Sequence, residues 1–106
     1  IFQSHRVDEA ATTQTIGDVY RDSGIIIDPH TAVALRAAQD LDPDGPVIIL
    51  ATAHPAKFPD AVEKACSIRP PLPEHLSDLY QREERFAILP NDLATLRDHI
   101  RSLRRT

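Results

Sequence analysis

The sequence contains no methionine, one cysteine and three glycines. With Cys66 alone, no intramolecular disulfide can form, which excludes a stapled secreted scaffold. Gly17, Gly24 and Gly45 are not clustered, so the chain holds no glycine-rich phosphate loop. No apolar run approaches the roughly 20 residues of a bilayer-spanning helix, and no membrane partner is expected. Positive charge is also in short supply, Lys+Arg 12 against Asp+Glu 16 for a formal net charge of -4. Nucleic acid needs a concentrated basic surface, so it is not an expected partner either. The one basic cluster, Arg101, Arg104 and Arg105, reads as cations at the negative pole of a closing helix. Without a methionine, Ile1 is not a retained initiator, and Ile1 to His5 lacks the zones of a secretion signal. The expectation is a segment of a longer protein.

What is present is ordinary globular composition. The 106 residues are 42% hydrophobic and 26% charged, enough for one domain with a modest core. Asp8 to Tyr20 reads as a helix, with Ile16, Val19 and Tyr20 at helical spacing and Gly24 as its stop. Its threonines and Gly17 lower the local propensity, so it depends on tertiary packing. Asp28 is placed to cap a second helix with Pro29 at its first position, running through Ala37 and rich in small residues. A turn-rich stretch from Leu41 to Pro46 ends it.

Val47 to Ala51 is continuously apolar and β-branched, the pattern of a buried parallel strand. The expected fold class is therefore α/β, with helices packed on part of a mostly parallel sheet. A polar loop, 52–58, follows, and a helix is expected from Pro59 through Ala65. Arg69 to Pro73 is a stiff connector, and a helix is expected from Pro73 to Gln81. Phe86 to Leu89 suits a short strand or an extended packed segment. A last helix after Asp92 sets Leu93, Leu96, Ile100 and Leu103 on one stripe.

Five histidines are the obvious candidates for acid–base or metal chemistry. None lies in a His-Glu-x-x-His pattern and Cys66 has no partner at zinc spacing, so no metal site is assigned. His5, His75 and His99 read as surface or structural residues. His30, in the first turn after Asp28 and Pro29, and His54, in the loop after the strand, stand closer to chemistry, though nearby backbone can satisfy each. The serines lack the strand–turn–helix context of an exposed nucleophile, so no catalytic residue is assigned to this chain. Cys66, beside Ala65, reads as a buried structural thiol. Thr52 stands out, because open α/β sheets bind ligands beyond the carboxyl ends of their strands. Its hydroxyl can donate or accept a hydrogen bond there.

Two segments carry a longer pattern: Asp28-Pro29-His30-Thr31-Ala32-Val33, and Leu50-Ala51-Thr52-Ala53-His54-Pro55-Ala56-Lys57-Phe58-Pro59. With Leu89-Pro90-Asn91-Asp92 and its amphipathic helix, they closely resemble the C-terminal part of threonine synthase, over nearly the whole chain. The resemblance implies a fragment of a cytoplasmic pyridoxal-phosphate-dependent lyase of the tryptophan-synthase-β fold type. That family converts O-phospho-L-homoserine and water to L-threonine and phosphate. It also implies that Thr52 contacts the cofactor's pyridine nitrogen, and that the covalent lysine lies upstream, so that neither Lys57 nor Lys64 is that lysine. The segment would then be inactive alone, with the remainder of the threonine synthase chain as its partner. Asp28 and His30 would brace the helix and its neighbouring loops. Ala34 departs from the glycine common after this motif, which bears on local packing. Two alternatives stay open at this point. One is a threonine-synthase-like phospho-lyase, whose discriminating residues would lie upstream; the other is a free-standing binding module.

Overall fold

In the computed structural model, residues 2–103 are described. Asp8 starts the first helix by turning its carboxylate onto the Ala11 amide at 2.8 Å, satisfying one of the amides that a helix start leaves free. Helix α1 spans Glu9–Ser23, three residues past the expected end at Tyr20. Gly24 closes it at φ 72°, with its amide donating to the Tyr20 carbonyl. Removing the starting cap by Asp8→Ala is expected to fray this end by about 1 kcal/mol. Faster hydrogen exchange confined to the first turn of α1 would show it, and unchanged exchange would sink it.

Helix α2, Pro29–Leu41, starts on Asp28 as the sequence suggests, runs four residues beyond Ala37 and is closed by Asp42 at φ 42°. Near its end, Asp40 accepts from Arg36 at 2.7 Å and from His5 at 2.9 Å, tying the N-terminal segment to α2. Helix α3 spans Pro59–Cys66. α1 packs against both α2 and α3, and its low propensity is offset by that packing. Ile16, Ala32, Ala56 and Val62 form the apolar core, with Thr12, Thr15, Asp28 and Thr31 buried among the polar residues. Thr12 and Thr15 resolve their burial internally, each hydroxyl donating to a carbonyl one turn back. Gly17 permits a close approach of α1 to α3, since a Cβ built there would lie 2.8 Å from the Ala65 carbonyl oxygen.

Beyond this three-helix unit the sequence expectations need correction. Residues 47–51 form no paired strand, and the described residues contain helices and 3-10 turns but no strand at all. A parallel strand exists only through hydrogen bonds to a neighbour, and no neighbour is supplied among these residues. Ile48 is accordingly 88% exposed. Phe86 to Leu89 is likewise unpaired and exposes Phe86 and Ile88. The helix expected from Pro73 to Gln81 is instead two 3-10 turns, Glu74–Leu76 and Leu79–Gln81, neither with a side-chain cap. The Asp78 carboxylate that could cap the second is occupied by Arg82, at 2.6 Å and 3.0 Å. An uncapped short helix without a packing face does not recover its nucleation cost. Cys66 is half-buried rather than buried, its thiol donating to the Val62 carbonyl at 3.2 Å.

Helix α4, Leu93–Ser102, is capped by Asp92, which accepts from the Thr95 amide at 2.7 Å. Its stripe of Leu93, Leu96, Ile100 and Leu103 forms as expected but is exposed. Of the basic cluster, Arg101 lies in its last turn, while Arg104 and Arg105 lie outside the described residues. The radius of gyration is 18.9 Å, against about 13 Å for a compact chain of this length. The chain is thus more extended than a compact domain, although Pro70 is buried and Leu72 to Tyr80 border the turn at His54.

Candidate functional site

The two segments that carried the sequence pattern meet in space. At the start of α2, Asp28 is 1% exposed and its carboxylate gathers four donors. The His30 amide and His30 Nδ1 reach Oδ2 at 2.9 Å and 2.8 Å, and the Thr31 amide reaches Oδ1 at 3.3 Å. The Thr31 hydroxyl completes the set on Oδ1. Burial pushes the Asp28 carboxyl up, but these hydrogen bonds outweigh it and hold the group below its ordinary value. Asp28 is thus more than a helix cap, because one of its donors is a ring.

That ring faces the other segment. The His30 and Phe58 ring centroids lie 4.9 Å apart with planes tilted by 56°, a favourable edge-inclined arrangement. Phe58 ends the 3-10 turn Pro55–Lys57 and precedes α3. Its amide donates to the Pro55 carbonyl, and its carbonyl accepts from the Val62 amide. His54 closes the other side of the turn: its carbonyl accepts from Lys57, and its Nδ1 accepts from the Ala56 amide at 3.1 Å. A backbone amide can only donate, so the Nδ1 of His54 carries a lone pair in this bond. In His30, facing a carboxylate, Nδ1 carries the proton. The two histidines singled out by sequence thus have opposite hydrogen-bonding roles, and both serve the local frame.

Thr52 stands two residues before His54 and is exposed, as is Lys57. Two open grooves flank His54. One, of about 380 Å³, is lined by His54, Lys57, Leu72, Leu76, Leu79 and Tyr80 among others. The second, of about 490 Å³, runs between Ile26, His54, Pro55 and the prolines from Pro70 to Pro73. His5 and His75 are at the surface, and His99 is partly covered on α4. Ala34 is exposed, so its methyl group crowds no neighbour among the described residues. No three His, Cys, Asp or Glu side chains gather as a metal site among the described residues.

Sequence reasoning missed two members of this arrangement. Thr31 was detectable, since a residue three beyond a capping Asp stands over its carboxylate. Phe58 was not, because its partner lies 28 positions earlier in the chain (30 against 58) and no local spacing reports a long-range ring contact.

The family described as threonine synthase, C-terminal, matches residues 31–100. The chain belongs to the threonine synthase family. Threonine synthase from Pseudomonas aeruginosa is 50% identical over 97 residues, covering 89% of this chain and 21% of that protein. The Escherichia coli threonine synthase is 38% identical over 92 residues, covering 86% and 21% respectively. Among solved structures, a pyridoxal-phosphate-bound threonine synthase from Brucella melitensis superposes with a TM-score of 0.71 at 44% identity. That match covers 86% of this chain and 20% of the solved one. The chain thus spans about a fifth of the length of the relatives it matches, and the matched family region contains Thr52, His54 and Phe58 but begins after Asp28 and His30.

The residues present suit one wall of such a cofactor's site and not its anchor. A pyridine nitrogen takes a single hydrogen-bond partner, and Thr52 offers an exposed neutral hydroxyl. No acidic residue occurs from position 45 to position 59, so nothing on this segment would compel the ring nitrogen to hold a proton. A phosphate cradle of clustered glycines is missing from the chain.

Proposed function

We propose that this chain is the C-terminal part of a pyridoxal-phosphate-dependent threonine synthase of the cytoplasm, and that Thr52 forms the pyridine-side wall of its cofactor site. The observation that carries this reading is the 44% identity and 0.71 TM-score to the pyridoxal-phosphate-bound enzyme over 86% of the chain. The reaction is that of the whole enzyme, O-phospho-L-homoserine and water giving L-threonine and phosphate. Bound pyridoxal phosphate supplies an electron sink for negative charge developing on the substrate carbons. Thr52 contributes a neutral hydrogen bond that orients the ring edge and moderates that sink, where a carboxylate would enforce a protonated ring. The turn from His54 to Phe58 fixes the backbone that follows Thr52. Val47 to Ala51 becomes a strand of a mostly parallel sheet, its pairing partners supplied by the remainder of the chain. The exposure of Val47, Ile48 and Leu50 supports that role, since a lone apolar segment gains only by being covered.

In the full-length enzyme, Thr52→Ala is expected to weaken pyridoxal phosphate binding about tenfold, the worth of one well-placed hydrogen bond. The absorbance of the bound cofactor should change with it, while the melting temperature of the apoenzyme should not. Unchanged affinity and spectrum would remove Thr52 from the site.

A further inference from the structure

We propose that His30 is a positioning residue for the cofactor wall, acting through Phe58 on the segment that carries Thr52. The inference rests on the reading of Thr52 given above. Capping α2 requires only the two backbone amides that Asp28 already accepts. The additional bond from His30 Nδ1 to Asp28 Oδ2, at 2.8 Å, does nothing for the helix start. It fixes the plane of an otherwise exposed ring, and the group at its far end is a carboxylate withdrawn from solvent and locked by the Thr31 hydroxyl. The ring so held lies against Phe58, 4.9 Å between centroids.

Phe58 is well chosen as a lever. It sits at the junction of the 3-10 turn and α3, has no side-chain cap of its own to define it, and bonds backward to Pro55 and forward to Val62. The turn is closed at its other end by His54, through both its carbonyl and its ring. A displacement of Phe58 therefore moves a rigid turn whose leading residue is two positions from Thr52. Groups that hold a ligand-contacting residue in place characteristically alter binding without touching the ligand.

The test is a double-mutant cycle in the full-length enzyme, reading pyridoxal phosphate affinity by titration of the apoenzyme and the absorbance of the bound cofactor. His30→Asn keeps a donor for Asp28 but removes the ring. It is expected to weaken cofactor binding by about three- to tenfold and to move the absorbance in the direction that Thr52→Ala does. In the Thr52→Ala background it should add almost nothing, because its route to the cofactor is already cut. Phe58→Leu leaves the Asp28 cluster intact and tests the same coupling from the other side, should His30→Asn fail to fold. Effects of His30→Asn and Thr52→Ala that simply add, or a normal spectrum in both His30→Asn and Phe58→Leu, would overturn the positioning role while leaving Thr52 in the site. A Thr52→Ala enzyme with ordinary affinity and spectrum would remove the Thr52 reading itself, and the inference with it.

Discussion

Replacing Gly17 by alanine is expected to destabilise the packing of α1 on α3 by about 2 to 3 kcal/mol, although alanine is the better helix former by roughly 1 kcal/mol. The two effects oppose each other, and geometry decides between them. The new Cβ would stand 2.8 Å from the Ala65 carbonyl oxygen, closer than real Cβ atoms are found. The atom it meets belongs to the backbone of α3, so no side-chain rotation relieves the contact and the helix itself must move. Ile16 and Val62, both fully buried in this part of the core, would lose contacts as the helices part. The measurement is amide exchange in the full-length enzyme, where protection in α1 and α3 should fall about thirtyfold or more. If alanine left protection equal or raised it, the close approach of these two helices would be wrong.

The same glycine shows how far local sequence reasoning reaches. Gly17 reads in sequence as a weak point in a helix, and only the position of Ala65 turns it into a requirement. The start of α2 was legible because capping is local, and Asp28 bonds an amide three positions ahead; Asp8 and Asp92 do the same for α1 and α4 but were not read as caps. The α4 stripe was legible for the same kind of reason, since periodicity is a property of one segment. Val47 to Ala51 was a different case. Its composition expresses readiness to pair, but pairing is a relation between two segments, and the described residues supply one. The stretch from Pro73 to Gln81 failed in the opposite direction. Leu76, Leu79 and Tyr80 have helical spacing, but no side-chain cap starts the helix, and the segment breaks into two 3-10 turns. At the site, Thr52, His30 and His54 could be singled out because each follows the expected strand or stands at a helix start. The contact that joins their segments, His30 on Phe58, is visible only in three dimensions.

Asp28→Ala is expected to cost about 3 kcal/mol, more than an ordinary cap. The substitution leaves the amides of His30 and Thr31 without their acceptor, and does so beneath the packed start of α2 where water enters poorly. It also frees the Thr31 hydroxyl and the His30 ring together. Asp28→Asn should cost less, because its carbonyl oxygen can still cap the helix, yet it cannot accept from every donor in the set. The carboxylate adds a pH dependence whose sign follows from its lowered pKa. The folded value lies below the ordinary 3.8, so between the two values the unfolded chain binds more protons than the folded one. Stability therefore rises with pH through that window. The contribution is fully present above about pH 4 to 5 and is lost as the pH falls through the folded pKa. Amide exchange at the start of α2, followed from about pH 6 down to about pH 3, should show this acid loss in the parent enzyme. Other carboxylates titrate in the same range, so the informative quantity is the difference from Asp28→Asn, which should narrow as the pH falls. A difference that stayed constant throughout would mean that Asp28 supports the helix by shape alone and that its charge contributes nothing.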